Sequence, residues 1–181
     1  KEMSKKIFIV SSTPRKNGNS DILAEEFARG AREAGHSVEK ICLREIELKF
    51  CTGCMYCHTR GTCVIKDGVE TLLPRIADSD VLVFATPVYY YEMSGQLKTF
   101  LDRMNPLYGR DNRFREVYLL ASAADTEASA MDGAAKGVQG WIDCFDGVVL
   151  KGVVRGTGAE KAGDIRATNA VKAAYEMGKA V

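Results

Sequence analysis

Only four prolines, two histidines and one tryptophan occur among the 181 residues, and no apolar run approaches the roughly 20 residues of a membrane-spanning helix. Charge of one sign is missing too. Lys and Arg number 25 against 24 Asp and Glu, and the resulting net charge of +1 gives no general electrostatic ground for nucleic-acid or anionic-membrane binding. There is no internal repeat, low-complexity tract or Pro/Gly linker long enough to divide the chain, so residues 1–181 read as one domain. The charged lead from Lys1 to Lys6 is followed by only a short apolar stretch, unlike a signal peptide, and Met3 reads as the natural start of a cytoplasmic chain. In that setting the six cysteines read as thiols or metal ligands instead of a disulfide framework.

What is present alternates. Apolar strands are expected at Ile7–Val10, Val38–Leu43, Val81–Ala85, Val117–Ala121 and Val148–Val154. Between them, helical spacing marks Asp21–Ala34, Glu70–Ile76, a stretch from Gly95 carrying Leu97, Phe100, Leu101 and Met104 on one stripe, Ala128–Cys144 and Ile165–Lys179. Such alternation predicts an α/β fold: a doubly wound, five-stranded parallel sheet with right-handed crossovers and helices on both faces. Ligands then sit beyond the carboxyl ends of the strands, where the winding reverses.

Two polar constellations fall there. After the first strand, Ser11, Ser12, Thr13, Arg15, Asn19 and Ser20 offer hydroxyls, an amide and a guanidinium beside the free N–H groups of a helix start, which suits an anion. A plain capped turn is the bland alternative. Neither G-x-G-x-x-G nor G-x-x-x-x-G-K-[ST] is present, so a terminal monophosphate fits better than a dinucleotide or nucleoside triphosphate. After the third strand, Pro87 is expected to end the strand, and Val88, Tyr89, Tyr90 and Tyr91 offer polar edges and flat surface to a planar ring, or simply pack.

The loop Thr13-Pro14-Arg15-Lys16-Asn17-Gly18-Asn19-Ser20, the stretch Thr86-Pro87-Val88-Tyr89 and the following Gln96-Leu97-Lys98 with Leu101-Asp102-Arg103 resemble the flavodoxin-like NAD(P)H-dependent FMN reductase family. The likeness covers about the first 105 residues by order and spacing. It implies a flavodoxin-like strand order of 2-1-3-4-5. It also implies FMN, with its phosphate at Ser11, Thr13, Arg15, Asn19 and Ser20 and its ring along Pro87, Val88 and Tyr89, with Tyr90 beside them. By topology, the loop after the fourth strand, with Ser122, Ala123 and Asp125, borders the ring. NAD(P)H would supply hydride, and the flavin itself carries the chemistry, so no side-chain acid, base or nucleophile is nominated. A homodimer or homotetramer is expected, since a small doubly wound domain leaves one side of a flavin uncovered.

Four further residues need their own reading. Cys51, Cys54, Cys57 and Cys63 are separated by two, two and five residues, a run resembling the thiolate wrapping of a 4Fe-4S cluster. The spacing also resembles the iron–sulfur flavoprotein branch of the same family, which holds such a cluster beside FMN. Free or redox-active thiols are an equal alternative, and zinc through four thiolates, or three with His58, or else a disulfide, is a third. His58 otherwise reads as a solvated loop residue, His36 as a surface residue, and Cys42 and Cys144 as core thiols. Three functions follow: an FMN-dependent oxidoreductase reducing a flavin, quinone or other small acceptor; an electron carrier between protein partners; or a thiol or metal sensor on the same scaffold.

Overall fold

The computed structural model describes residues 4–181, so the reading of Met3 lies outside the described residues. Five parallel strands, β1 (Lys6–Ser11), β2 (Ser37–Cys42), β3 (Val81–Tyr89), β5 (Glu116–Ser122) and β6 (Val149–Gly156), lie in the order β2-β1-β3-β5-β6. A two-residue strand, β4 (Glu92–Met93), folds back antiparallel on β3. Apart from this hairpin, the order is the flavodoxin-like one expected from the sequence.

Each central strand is apolar on both sides because both sides are covered. Phe8, Val10, Leu82, Phe84, Val117 and Leu119 face one core, with the helices α3 (Val69–Ala77), α4 (Gly95–Arg103) and α5 (Asp132–Ile142). Ile7, Ile9, Val81, Val83, Tyr118 and Leu120 face the other, with α1 (Asn19–Glu33) and α6 (Ala170–Lys179). The strict alternation of these sets is the two-residue period of a strand buried on both faces.

Four expectations are corrected. Pro87 does not end its strand: β3 runs on to Tyr89, with Pro87 opposite Ser122 of β5 and Val88 opposite Met93 of the hairpin. The helix expected over Ala128–Cys144 begins as a 3-10 turn at Ala128–Met131, and only Asp132–Ile142 is α-helical. The last helix likewise is preceded by a separate 3-10 turn at Asp164–Ala167. Cys144, expected in the core, is exposed in the turn after α5, whereas Cys42 is buried.

Candidate functional site

At the carboxyl end of β1 the chain turns through residues 12–18 and enters α1 with no side-chain cap on its N-terminus. Asn17 takes a left-handed conformation (φ 56°), and Gly18 passes so close to Thr13 that a Cβ there would stand 2.4 Å from Thr13 Oγ1. The loop is therefore a tight cradle around open backbone donors. The Ser20 hydroxyl is buried without a partner, and the buried Ser11 hydroxyl lies near the Asp21 carboxylate without a sound hydrogen bond. Leaving a buried hydroxyl unpaired costs about 1–3 kcal/mol, so two beside a helix start call for an acceptor from outside the chain.

The other loop residues divide by what already holds them. Thr13 Oγ1 accepts from Arg15 N at 3.2 Å, and the exposed Arg15 guanidinium donates to Glu160 O at 2.7 Å. Asn19, expected at the phosphate through its amide, spends that amide on the chain. Its Nδ2 donates to Ala159 O and Lys161 O (3.1 and 3.0 Å) and its Oδ1 accepts from Gly163 N and Ile165 N (3.0 and 3.2 Å). Its side chain ties the loop after β6 to the cradle, leaving only its backbone N–H for a ligand.

The β3 loop is locked to the cradle by hydroxyls whose spacing along the chain gives little sign of it. Ser94 Oγ donates to Ser12 Oγ (2.9 Å), Ser12 Oγ donates to Ala85 O (3.0 Å), and Ser94 N donates to Thr86 Oγ1 (3.0 Å). Ser94 also caps α4, accepting from Leu97 N. A serine three residues before the first apolar residue of a helical stripe is the readable part of that signal.

Pro87 and Val88 are half-buried at the carboxyl end of β3, and Tyr89 is partly exposed. Tyr90 and Tyr91 form the hairpin turn in left-handed conformations (φ 49° and 62°) where Asn-Gly is the usual choice. Tyr90 is fully exposed, while Tyr91 Oη donates to Asp125 Oδ2 at 3.3 Å. Ser122 and Ala123, at the end of β5 and just after it, are buried, and Asp125 accepts from Glu127 N at 2.9 Å.

The four cysteines share one cavity. Cys51, Cys54, Cys57 and Cys63 line it together with Ile65, Arg103 and Asn105. Left-handed turns at Gly53, Met55 and Gly61, with a short helix α2 (Tyr56–Arg60) between them, fold the segment back on itself. Polar groups address the sulfurs. Gly53 N donates to Cys51 Sγ (3.4 Å), and Asn105 Nδ2 donates to Cys57 Sγ (3.2 Å) while standing 3.3 Å from His58 Nε2. The Tyr56 N–H and the Thr52 hydroxyl hold the exposed Cys54 thiol below its ordinary pKa. The cavity of about 20 Å³ holds little more than a water-sized sphere, and among the described residues no three His, Cys, Asp or Glu side chains stand close enough to hold one metal ion. Four thiols lining one cavity are the donor set that a 4Fe-4S cluster takes, and seating one requires the segment to rearrange around it.

A family model described as NADPH-dependent FMN reductase matches residues 5–162. The chain belongs to this reductase family. An NAD(P)H-dependent FMN-containing oxidoreductase, as a Bacillus subtilis relative is named, is 30% identical over 181 residues, covering 95% of this chain and 96% of the relative. An iron–sulfur flavoprotein of Archaeoglobus fulgidus is 36% identical over 100 residues, 55% of this chain and 45% of that protein. One of Methanocaldococcus jannaschii is 36% identical over 102 residues, 56% and 53% of the two chains. The chain spans about half the length of these iron–sulfur relatives. A solved NAD(P)H:quinone oxidoreductase from Methanothermobacter marburgensis superposes with a TM-score of 0.76 over 98% of this chain and 96% of that one, at 22% identity, a likeness of fold. No helix among the described residues is long and apolar enough to cross a membrane.

Proposed function

We propose that this member of the reductase family is an FMN-dependent oxidoreductase that takes hydride from NAD(P)H and reduces a flavin, a quinone or another small acceptor. The observation that carries the reading is the unpartnered, buried Ser20 hydroxyl, with Ser11 beside it, at the uncapped start of α1. FMN ends in a monophosphate whose oxygens would accept from Ser11, Thr13, Ser20 and the N–H groups of α1. Arg15 would leave Glu160 to add a charge-assisted contact. Pro87, Val88 and Tyr89 would lie along the ring, and Ser122, Ala123 and Asp125 would border it. When bound, the flavin supplies hydride and electron transfer; the chain binds, orients and limits access.

Protein purified without air should show flavin absorbance and oxidise NADH or NADPH steadily when a quinone is added. Absence of bound flavin, with none taken up on adding FMN, would contradict the reading.

The cysteine cavity favours a second reading, in which Cys51, Cys54, Cys57 and Cys63 hold a 4Fe-4S cluster that passes electrons between FMN and a protein partner. We further propose a homodimer or homotetramer. The exposed Tyr89, Tyr90 and Tyr91 of the hairpin present an aromatic surface beside the cleft that a second copy would cover. Light scattering should give a dimer or tetramer at micromolar concentration; a fully active monomer at every concentration would remove this part.

A further inference from the structure

Arg103, at the end of α4, is among the largest fully buried side chains of the molecule, and its partner Asp67 is equally enclosed. Its fork grips both ends of the cysteine segment. Nη1 donates to Asp67 Oδ2 (2.5 Å) and to Lys49 O (2.9 Å), two residues before Cys51. Nη2 donates to Asp67 Oδ1 (3.0 Å) and reaches Ile65 O (3.4 Å), two residues after Cys63. Asp67 closes the same ring by accepting from Lys49 N (2.8 Å) and Val69 N (3.2 Å).

A buried ion pair is a poor device for stability alone, because a well-packed apolar pair of similar volume is often as stable or more so. Two observations give this one another purpose. Arg103 lines the cavity that the four cysteines enclose, lying against Cys63, and its buried Nε has no partner. An iron–sulfur cubane held by four thiolates is an anion, and both its cysteine and inorganic sulfurs accept hydrogen bonds.

We propose that Arg103 is the positioning residue of the cysteine loop: with Asp67 it fixes the two loop ends, and it presents a cation and its free Nε–H to an iron–sulfur cluster seated among Cys51, Cys54, Cys57 and Cys63. The inference rests on the cluster reading above. The recurring requirement at metal sites for charged groups behind the ligands gives the expected size of effect, about 10- to 100-fold in metal retention.

Two variants test it on the full chain. Arg103→Lys keeps the charge but loses the fork, and the double change Arg103→Met with Asp67→Leu removes the pair while filling its volume, so that folding survives in at least one. Each is compared with the unaltered protein in two ways. Amide hydrogen exchange of the iron-free protein should speed up over residues 49–67 in the variants and stay unchanged in β1, β3 and β5. After anaerobic reconstitution with ferrous iron and sulfide, the unaltered protein should hold about four irons per chain, and a ferrous chelator should strip them about 10- to 100-fold faster from the variants. Equal exchange over residues 49–67 overturns the clamp. Equal iron release from a loaded protein overturns Arg103's service to the cluster while the cluster reading stands. An unaltered protein that takes up no iron ends the cluster reading and that service together, and the exchange data then still decide the clamp.

Discussion

Ser20 illustrates how a single side chain can oppose stability and favour binding. Its hydroxyl is buried with nothing to bond, a penalty that only an arriving acceptor relieves. Ser20→Ala should therefore leave the flavin-free protein as stable or slightly more so, and weaken FMN by about 1–3 kcal/mol. Thermal melts with and without FMN read both effects. A variant destabilised without flavin and unchanged in its FMN affinity would mean that Ser20 serves the fold only. Asn19 shows the limit of reading such a loop as a string of donors. Its amide suits a phosphate as well as it suits the carbonyls of Ala159 and Lys161, and only the return of residues 159–165 beside α1 decides between them. Tyr90 is similar: three adjacent tyrosines do not announce a tight hairpin, because the favoured residues for that turn are Asn and Gly.

The elements were legible where their apolar period was strong. The central strands β1, β3 and β5 are continuous apolar runs and α1 repeats near every 3.6 residues, while the order of the strands was legible through the family resemblance and not through the apolar pattern. Ends were less legible, since Pro87 stays in a strand whose partners tolerate a missing N–H, and the glycine-containing run after Ala128 begins as a 3-10 turn. Between elements, charge locks α1 to β2 next to the cradle. Lys40 Nζ lies 2.7 Å from Asp21 Oδ1, Lys40 also pairs with Glu25, and Arg44 stands 3.7 Å from Asp21. Burial opposes the Asp21 charge, but the Lys40 hydrogen bond and the neighbouring cations outweigh it and hold the carboxyl below its ordinary value. Asp67 is lowered likewise, burial again being outweighed, there by Arg103. A carboxyl lowered on folding stabilises fully above its unfolded pKa of about 3.9, and that stability fades as pH falls through the lower folded value. Urea unfolding should accordingly show a steep loss below about pH 4, shallower in Asp21→Asn. An identical loss in that variant would show that the α1–β2 lock carries none of the acid sensitivity.

At the scale of the molecule, the cleft end of the sheet gathers everything that the composition does not explain. The unpaired serines, the left-handed tyrosines and the cysteine segment with exposed Phe50, Met55 and Val64 all lie beyond the carboxyl ends of the strands or in the loops that follow them. Apolar clusters cover both faces of the sheet below, and the proposed FMN site gives these polar and strained groups a use. The central claim is that the β1–α1 cradle holds the phosphate of FMN, and paired flavin titrations test it most directly. Riboflavin presents the same ring without the phosphate. Followed by quenching of flavin fluorescence, the flavin-free protein should bind FMN at least about tenfold more tightly than riboflavin, the worth of one charge-assisted hydrogen bond. Equal affinities for the two flavins would contradict the account.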